Sequence, residues 1–450
     1  MSASVFESFL STPEMLGVFG DAAIMQGMLD VEAALARAQA DEGLLSMAAA
    51  QAVAEACRVE LYDLPALVGE SGRAGSLAIP LIRQLTRRVA ERDAEAAAKV
   101  HWGSTSQDVI DSAMVLATRR ALSLIDRDLC ALIDALFALA ERHGDAPVLA
   151  RTLMQPASVI SFGFKVAAWL QPLVRARQRL QQARLRALQL QLGGAVGTLS
   201  AMGPRGPAIA RRMAEALQLP PPQGAWHTQR DDWVALGCEV GVLCGSLGKI
   251  AKDWSLMGQA EVAEIAEPSG EGRGGSSAMP HKRNPVAAMV ALAATQRAPQ
   301  RVAALLQAMP QEHERGLGNW QAELAEWAGL FVSAHGALKA LADAAAGLEV
   351  DRRRMLHNIE ALQGLVHAEA VAMRLARLIG KPEAQALVEQ LSRRAVAEGR
   401  PLRDLVIEAI AQHLSLRDAV PLPDLDALFD ADRAAQPARE RAHELLQRLR

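Results

Sequence analysis

The sequence predicts an all-α protein of three domains, built around a central bundle of long helices. Three observations predict this class. Five long segments carry apolar residues at three- and four-residue spacing, the period of one helix face. Half of the 450 residues are hydrophobic while only 4% are aromatic, with a single Tyr, so the core must be mostly Ala, Leu, Val and Met, of which Ala, Leu and Met favour helix. Gly, Pro, Ser and Thr collect in the stretches between those segments.

Taken in order, the chain opens with shorter helical patterns, such as GMLDVEAALARAQADE over residues 27–42. The loop HWGSTSQD at 101–108 leads into the first long pattern, 109–142, and RTLMQPAS at 151–158 into the second, 157–192. After the loops at 193–207 and 219–231 come 231–265, the loop at 267–285, and the patterns 286–307 and 322–346. A rod of about 35 residues spans roughly 50 Å, longer than a small domain is wide, so several such rods imply an elongated bundle. Patterns shorten again after 349, which predicts three domains: 1–108 N-terminal, 109–348 the long-helix bundle, and 349–450 C-terminal. No strand of any length and no internal repeat is expected.

Lys and Arg number 48 against 51 Asp and Glu, a formal charge of −3, and the two signs are interspersed. That distribution argues against nucleic acid as a partner. No uninterrupted apolar run near 20 residues is read, and MSASVFESFL has no basic region before an apolar core, so neither a membrane span nor a secretory signal is expected and the cytoplasm is the expected compartment. Cys57, Cys130, Cys238 and Cys244 form no CxxC pair and have no His at zinc-ligand spacing. They are expected to be buried, reduced thiols, with no metal site.

The segment SGEGRGGSSAMPHKRNP ending at Pro285 carries the densest chemistry. Glycines permit a loop that opens and closes, and Ser276, Ser277, His281, Lys282 and Arg283 offer hydroxyls and positive charge to a small anion. Chemistry alone leaves an alternative open, an exposed linker whose charges aid solubility. GSSAMPHKRNP resembles the fumarase/aspartase superfamily pattern G-S-S-x-M-P-x-K-x-N at every specified position. The resemblance implies that Ser276 exchanges a proton on carbon beside a substrate carboxylate, and that Lys282 and Asn284 stabilise the resulting aci-carboxylate, with Met279 as a substrate contact. Two negative charges then gather on one group in the transition state, which a fixed ammonium and nearby amides can hold. Serine is a weak base in water, so this role requires loop closure and neighbouring donors.

Two further loops are similar to the superfamily's other conserved regions. VHWGSTSQD implies Ser104, Thr105 and Ser106 as carboxylate ligands and His101 as a pocket histidine. Without the resemblance, three hydroxyls before the pattern at 109 also read as a helix N-cap. RTLMQPA implies Thr152 and Gln155 as hydrogen-bonding partners of substrate. Leu153 stands where fumarases and succinyl lyases carry a histidine, and Met289 where they carry its glutamate partner, five residues beyond the loop asparagine.

Both halves of an acid–base pair are thus apolar. Hydration needs a base for water and amine elimination an acid for the leaving nitrogen, whereas lactonisation uses a tethered carboxylate as the nucleophile. This departure points to the superfamily branch of bacterial 3-carboxy-cis,cis-muconate cycloisomerases, to which MLDVEAALARAQA, WHTQRD and MPQEHERGLGNW are also similar. Members of that branch often carry Trp at the position of Leu153. The resemblance weakens after about Gly399.

It implies cyclisation of a small tricarboxylate in aromatic catabolism, no metal or organic cofactor, and a homotetramer whose active sites are shared among subunits. Arg230 and Arg315 are the expected cationic partners of substrate carboxylates. His227 and His313 are further pocket candidates. The alternatives are a fumarate-releasing lyase of the adenylosuccinate or argininosuccinate type, a cycloisomerase for a differently substituted muconate, and, outside enzymes, a crystallin-like structural protein.

Overall fold

A computed structural model describes residues 5–450 except 271–273, 276–278, 280, 281, 414 and 418. The described chain is predominantly helical, as the periodicity predicts. The elements used below are α1 (Asp21–Asp41), α2 (Ser106–His143), strands β1 (Pro147–Thr152) and β2 (Gln155–Ser161), α3 (Phe162–Ala187), α4 (Asp231–Met257), α5 (Val286–Ala308), α6 (Asn319–Ala345), α7 (Arg352–Glu360) and α8 (Ala431–Leu449). Each of the five long expected helices is present, and Pro172 and Pro299 lie inside α3 and α5.

Three expectations are corrected, the first being that no strand of any length would form: β1 has six residues and β2 seven. The pattern expected as helix from 157 is strand up to Ser161, and β1 and β2 form an antiparallel hairpin in which Val148 pairs with Ile160 and Thr152 with Gln155. The apolar spacing around SVIS suits either element, and pairing with PVLART decides for strand as far as Ser161. The helix expected to reach 265 ends at Met257; Ile265 and Ala266 pair instead with Val350 and Glu349.

Contacts group the residues into two units, one of 1–129, 175–248 and 290–339, the other of 130–174, 249–289 and 340–450. All five long helices contribute residues to each unit.

In the first unit α4 and α5 pack at close range because Gly237, Gly241 and Gly248 form a stripe on α4. A Cβ at these positions would meet Leu305 at 2.8 Å, Val302 at 2.6 Å and Thr295 at 2.7 Å. The descending partner numbers show that the two helices run antiparallel. The aromatic core of this unit is Trp233 stacked on Trp327 at 3.9 Å, flanked by Trp226 and Phe331.

In the second unit Trp169 sits edge-on to Phe162 and Trp254. Leu149 and Val159 from the hairpin are buried with Ile359 of α7 and Ala435 of α8. Residues 371–425 form a separate apolar core of short helices, including Val371, Leu391 and Leu405.

Among the described residues, α4 is long and apolar enough by length and composition to cross a membrane, which the sequence reading missed; half of that window is buried within the chain. The four cysteines are free thiols; Cys57 and Cys244 are buried as expected, whereas Cys130 and Cys238 are half-buried. Burial pushes the Cys244 thiol up to about 12, which keeps it protonated and unreactive.

Candidate active site

In the first unit, the loop before α2 is organised by one carboxylate. Asp108 is fully buried and accepts from the backbone N–H groups of Gly193 at 3.0 Å and Gly194 at 2.9 Å. It also accepts from Thr105 N at 3.1 Å and from the Ser104 hydroxyl at 3.4 Å, and pairs with His227 Nε2 at 2.7 Å. The N-cap reading of the hydroxyls is therefore corrected: the carboxylate of Asp108 supplies the acceptor, one turn into the helix. This frees the half-buried Thr105 and Ser106 hydroxyls, which make no side-chain hydrogen bond among the described residues.

The glycines receiving Asp108 are required by close approach. Gly194 has φ of 71°, and a Cβ there would meet the carbonyl oxygen of Gly103 at 2.7 Å. Arg315 Nη2 donates to the carbonyls of Gly194 and Ala195 at 3.1 and 3.2 Å, so this cation braces the same loop from the other side. His313 adopts φ of 47°, and its carbonyl accepts from the Thr228 hydroxyl.

His101 adopts φ of 61° and places Nδ1 2.6 Å from Glu32 Oε1. Burial alone would lower the imidazole pKa, but the charge and hydrogen bond of Glu32 and the charge of Asp108 outweigh it and raise it. The histidine is thereby held toward its cationic form.

Arg230 departs from expectation. It is 1% exposed, and its guanidinium lies between Asp111, at 2.8 and 3.2 Å, and Glu323, at 3.1 Å through Nε with a further Nη2 bond. The ring of Trp226 covers it 4.5 Å away. Two carboxylates on α2 and α6 already neutralise this cation, so Arg230 is removed from the set of substrate ligands and becomes a buried structural ion.

In the second unit, the hairpin tip presents Thr152, Leu153, Met154 and Gln155, all exposed. Leu153 and Met154 have φ of 51° and 66°, the left-handed region demanded by a two-residue turn and normally filled by Asn or Gly. Leu153 is 96% exposed. Behind the tip, Arg151 makes a two-pronged ion pair with the buried Glu264 at 2.7 and 3.1 Å, which Asn358 also contacts at 3.0 Å.

The glycine- and serine-rich loop is pinned at its ends. Asn284 N donates to Gly274 O at 2.8 Å, and its side-chain amide to Gly275 O at 3.4 Å. Gly274 takes φ of 71°, with Asn284 O only 3.0 Å from where a Cβ would stand. Glu267 caps α5 by accepting from Ala287 and Ala288 N–H, both at 2.8 Å, which suits a carboxylate at a helix N-terminus.

Arg283 pairs with Glu349 at 2.7 and 3.0 Å and donates to Glu267 O, so this basic residue clamps the loop instead of facing an anion. That hydrogen bond holds the Glu349 carboxyl below its usual value. Lys282 is exposed, its N–H bonded to Met279 O at 3.0 Å, and Met279 is 44% exposed. Ser276, Ser277 and His281 lie outside the described residues.

Met289 is 45% exposed in the first turn of α5. The structure thus gathers His101, Ser104, Thr105, Ser106 and Arg315 around one loop junction of the first unit. In the second unit it holds Lys282 and Asn284 on one pinned loop, and Thr152 and Gln155 on the hairpin.

One group of metal-ligating type occurs among the described residues, Glu14, Asp128 and His335. Arg127 donates to both carboxylates at 2.6 and 2.9 Å, and the two His335 nitrogens are engaged by Thr12 and Asp128, each at 2.8 Å. The positive charge of Arg127 and the occupied ring nitrogens make this an ion-pair network.

A family described as Lyase matches residues 9–299, more than half of the chain. The chain belongs to this lyase family of the fumarase/aspartase superfamily. A Pseudomonas aeruginosa relative named 3-carboxy-cis,cis-muconate cycloisomerase is 48% identical over 426 residues, covering 95% of this chain and 92% of the relative. A Bradyrhizobium diazoefficiens relative of the same name is 47% identical over 408 residues, covering 90% of each. The crystal structure of 3-carboxy-cis,cis-muconate lactonizing enzyme from Pseudomonas putida superposes with a TM-score of 0.92 at 42% identity, covering 99% of both chains.

Within this lyase-family chain, sequence reasoning missed Asp108 as an organising group, Glu32 as the partner of His101, and Glu267 as the cap of α5. Asp108 and Glu32 stand inside segments already singled out by resemblance, HWGSTSQD and MLDVEAALARAQA, which was the available signal. Glu267 caps residues 20 and 21 positions away, and nothing in its local sequence announces that.

Proposed function

We propose that the protein closes 3-carboxy-cis,cis-muconate to 4-carboxymuconolactone, an intramolecular addition in aromatic-acid catabolism. The observation that carries this reading is the paired loss of acid–base chemistry: Leu153 at the hairpin tip and Met289 in the first turn of α5 are both apolar. A reaction that generates its own nucleophile has no use for that pair. The names of the relatives above support the same reaction.

A substrate carboxylate oxygen forms a C–O bond to one alkene carbon, and the π electrons move toward the carbon beside a second carboxylate. That carbon then takes one proton, so the product is an isomer and nothing leaves. Holding the carboxylate against the alkene replaces a bimolecular encounter, an advantage of as much as about 7–11 kcal/mol for well-aligned groups.

Lys282 supplies a compact positive charge and Asn284 a side-chain amide, on either side of Arg283, which is tied to Glu267 and Glu349. We assign them to the developing aci-carboxylate and Ser276 to proton delivery. Ser104, Thr105, Ser106, His101, Thr152, Gln155 and Met279 are assigned to binding a small carboxylate substrate, and Arg315 to bracing the loop beside them. The assignment carries no metal or organic cofactor. It extends to a cytoplasmic homotetramer with shared sites and to a chain divided as 1–108, 109–348 and 349–450.

Purified protein given 3-carboxymuconate should remove its diene absorbance in the ultraviolet without releasing fumarate from adenylosuccinate or argininosuccinate. Fumarate release with no diene loss would replace this reading with a succinyl lyase.

A further inference from the structure

α1 carries a motif that the proposed reaction leaves unused, MLDVEAALARAQA. Its residues Glu32 and Gln39, two helical turns apart, both reach the loop before α2. Glu32 is 1% exposed and meets His101 Nδ1 at 2.6 Å; Gln39, also buried, donates to Trp102 O at 2.7 Å. Two adjacent residues of the loop are thus tied to one rigid helix.

The loop needs that restraint. His101 holds φ of 61°, a conformation that a non-glycine residue adopts only when its surroundings impose it. Gly103 follows at φ of 78°, where a Cβ would meet the Met202 side chain at 2.7 Å.

The His101 side chain retains 20% exposure, and Nε2 has no hydrogen-bond partner among the described residues. With Nδ1 committed to a buried carboxylate, Nε2 is the free end of the ring, on the same loop as the half-buried Thr105 and Ser106, whose hydroxyls make no side-chain hydrogen bond among the described residues.

We propose that Glu32 is a positioning residue: it fixes the His101 ring so that Nε2–H takes a carboxylate oxygen of the small carboxylate substrate. This rests on the assignment of the loop at 101–106 to substrate binding. The charged groups that act on His101 are Glu32 from α1 and Asp108 from α2. Both are anionic and both favour the protonated ring, although burial opposes it. Glu32 is in direct hydrogen-bond contact, so its removal should act most strongly.

Replacing Glu32 by Gln keeps the size and one hydrogen-bonding group and removes the charge. An opposite charge at this range moves a pKa by about one to three units. In Glu32→Gln, the alkaline limb of 1/KM for 3-carboxymuconate should therefore move down by one pH unit or more, with kcat changed less than threefold. Glu32→Asp should restore part of the shift. An unmoved limb, with stability lost in Glu32→Gln, would make Glu32 merely structural and overturn the proposal.

A second measurement needs no turnover and is read on the wild-type protein. The Cε1–H signal of His101 in the full-length wild-type protein, identified by its loss in His101→Asn or by proximity labelling of the ring, is titrated with and without propane-1,2,3-tricarboxylate. The midpoint should rise when the tricarboxylate is present; an unchanged midpoint at saturating tricarboxylate overturns contact at Nε2. If wild-type protein fails to consume 3-carboxymuconate while this midpoint still rises, the proposed reaction falls and the role of Glu32 and His101 in carboxylate binding stands.

Discussion

Replacing Arg230 by Met separates a structural cation from a substrate ligand. The guanidinium is 1% exposed and makes four hydrogen bonds, two to Asp111 and two to Glu323, both carboxylates being 1% exposed. Met fills much of the same volume but leaves both acids without their counter-ion. Asp111 keeps donors from Gln107 at 3.2 Å, Gln191 at 3.3 Å and Trp320 at 2.9 Å. Glu323 loses its principal partner. Breaking a buried ion pair by removing one member costs about 3–5 kcal/mol, and with Asp111 still solvated by neutral donors the lower half of that range is expected.

The loss should also depend on pH. Burial already raises the Glu323 carboxyl above its usual value, against the lowering effect of Arg230. Without Arg230 it rises further. A carboxyl whose folded pKa exceeds its unfolded one contributes full stability below the unfolded value and loses it as pH climbs toward the folded value, at up to about 1.4 kcal/mol per pH unit. Arg230→Met should therefore fall further behind wild type between pH 5 and 8. Urea midpoints at several pH values, with KM for 3-carboxymuconate on the folded variant, read this directly. Unchanged midpoints with a raised KM would refute the reasoning and return Arg230 to the substrate.

Lys282→Ala should lower kcat by about a hundredfold or more, the scale for losing one preorganised electrostatic contact, while the exposed position leaves the unfolding free energy in urea within about 0.5 kcal/mol of wild type. Near-normal turnover would remove Lys282 from its role, and size-exclusion chromatography checks that assembly is intact. The double change Leu153→Asn and Met154→Gly suits the left-handed φ values of 51° and 66° and should raise stability by about 1–2 kcal/mol. The same change should raise KM if the strained apolar tip touches substrate; an unchanged KM would confine Leu153 and Met154 to the turn.

The long helices were legible because each buries a continuous face and so repeats apolar residues every three or four positions. Their boundaries were less so. SVIS, followed directly by the helix at Phe162, fits helix and strand alike, and only the partner PVLART, joined through a strained turn at Leu153 and Met154, makes it a strand. The loop GSSAMPHKRNP was legible as a mark of the family, since its residue types and order are sufficient to identify it. Arg230 was misread: an arginine in WHTQRD looks the same whether it awaits a substrate or is already neutralised.

By itself, then, the sequence determined the helical class, the rods, the family's loop motif and the apolar character of Leu153 and Met289. Tertiary structure alone decided which charges are spent internally. Asp108 meets Gly193 across 85 positions, Arg230 meets Asp111 across 119 and Glu323 across 93, and Glu32 meets His101 across 69. A side chain's hydrogen-bonding capacity is a local property, but whether it is satisfied depends on residues brought to it by packing, and no local pattern records those partners.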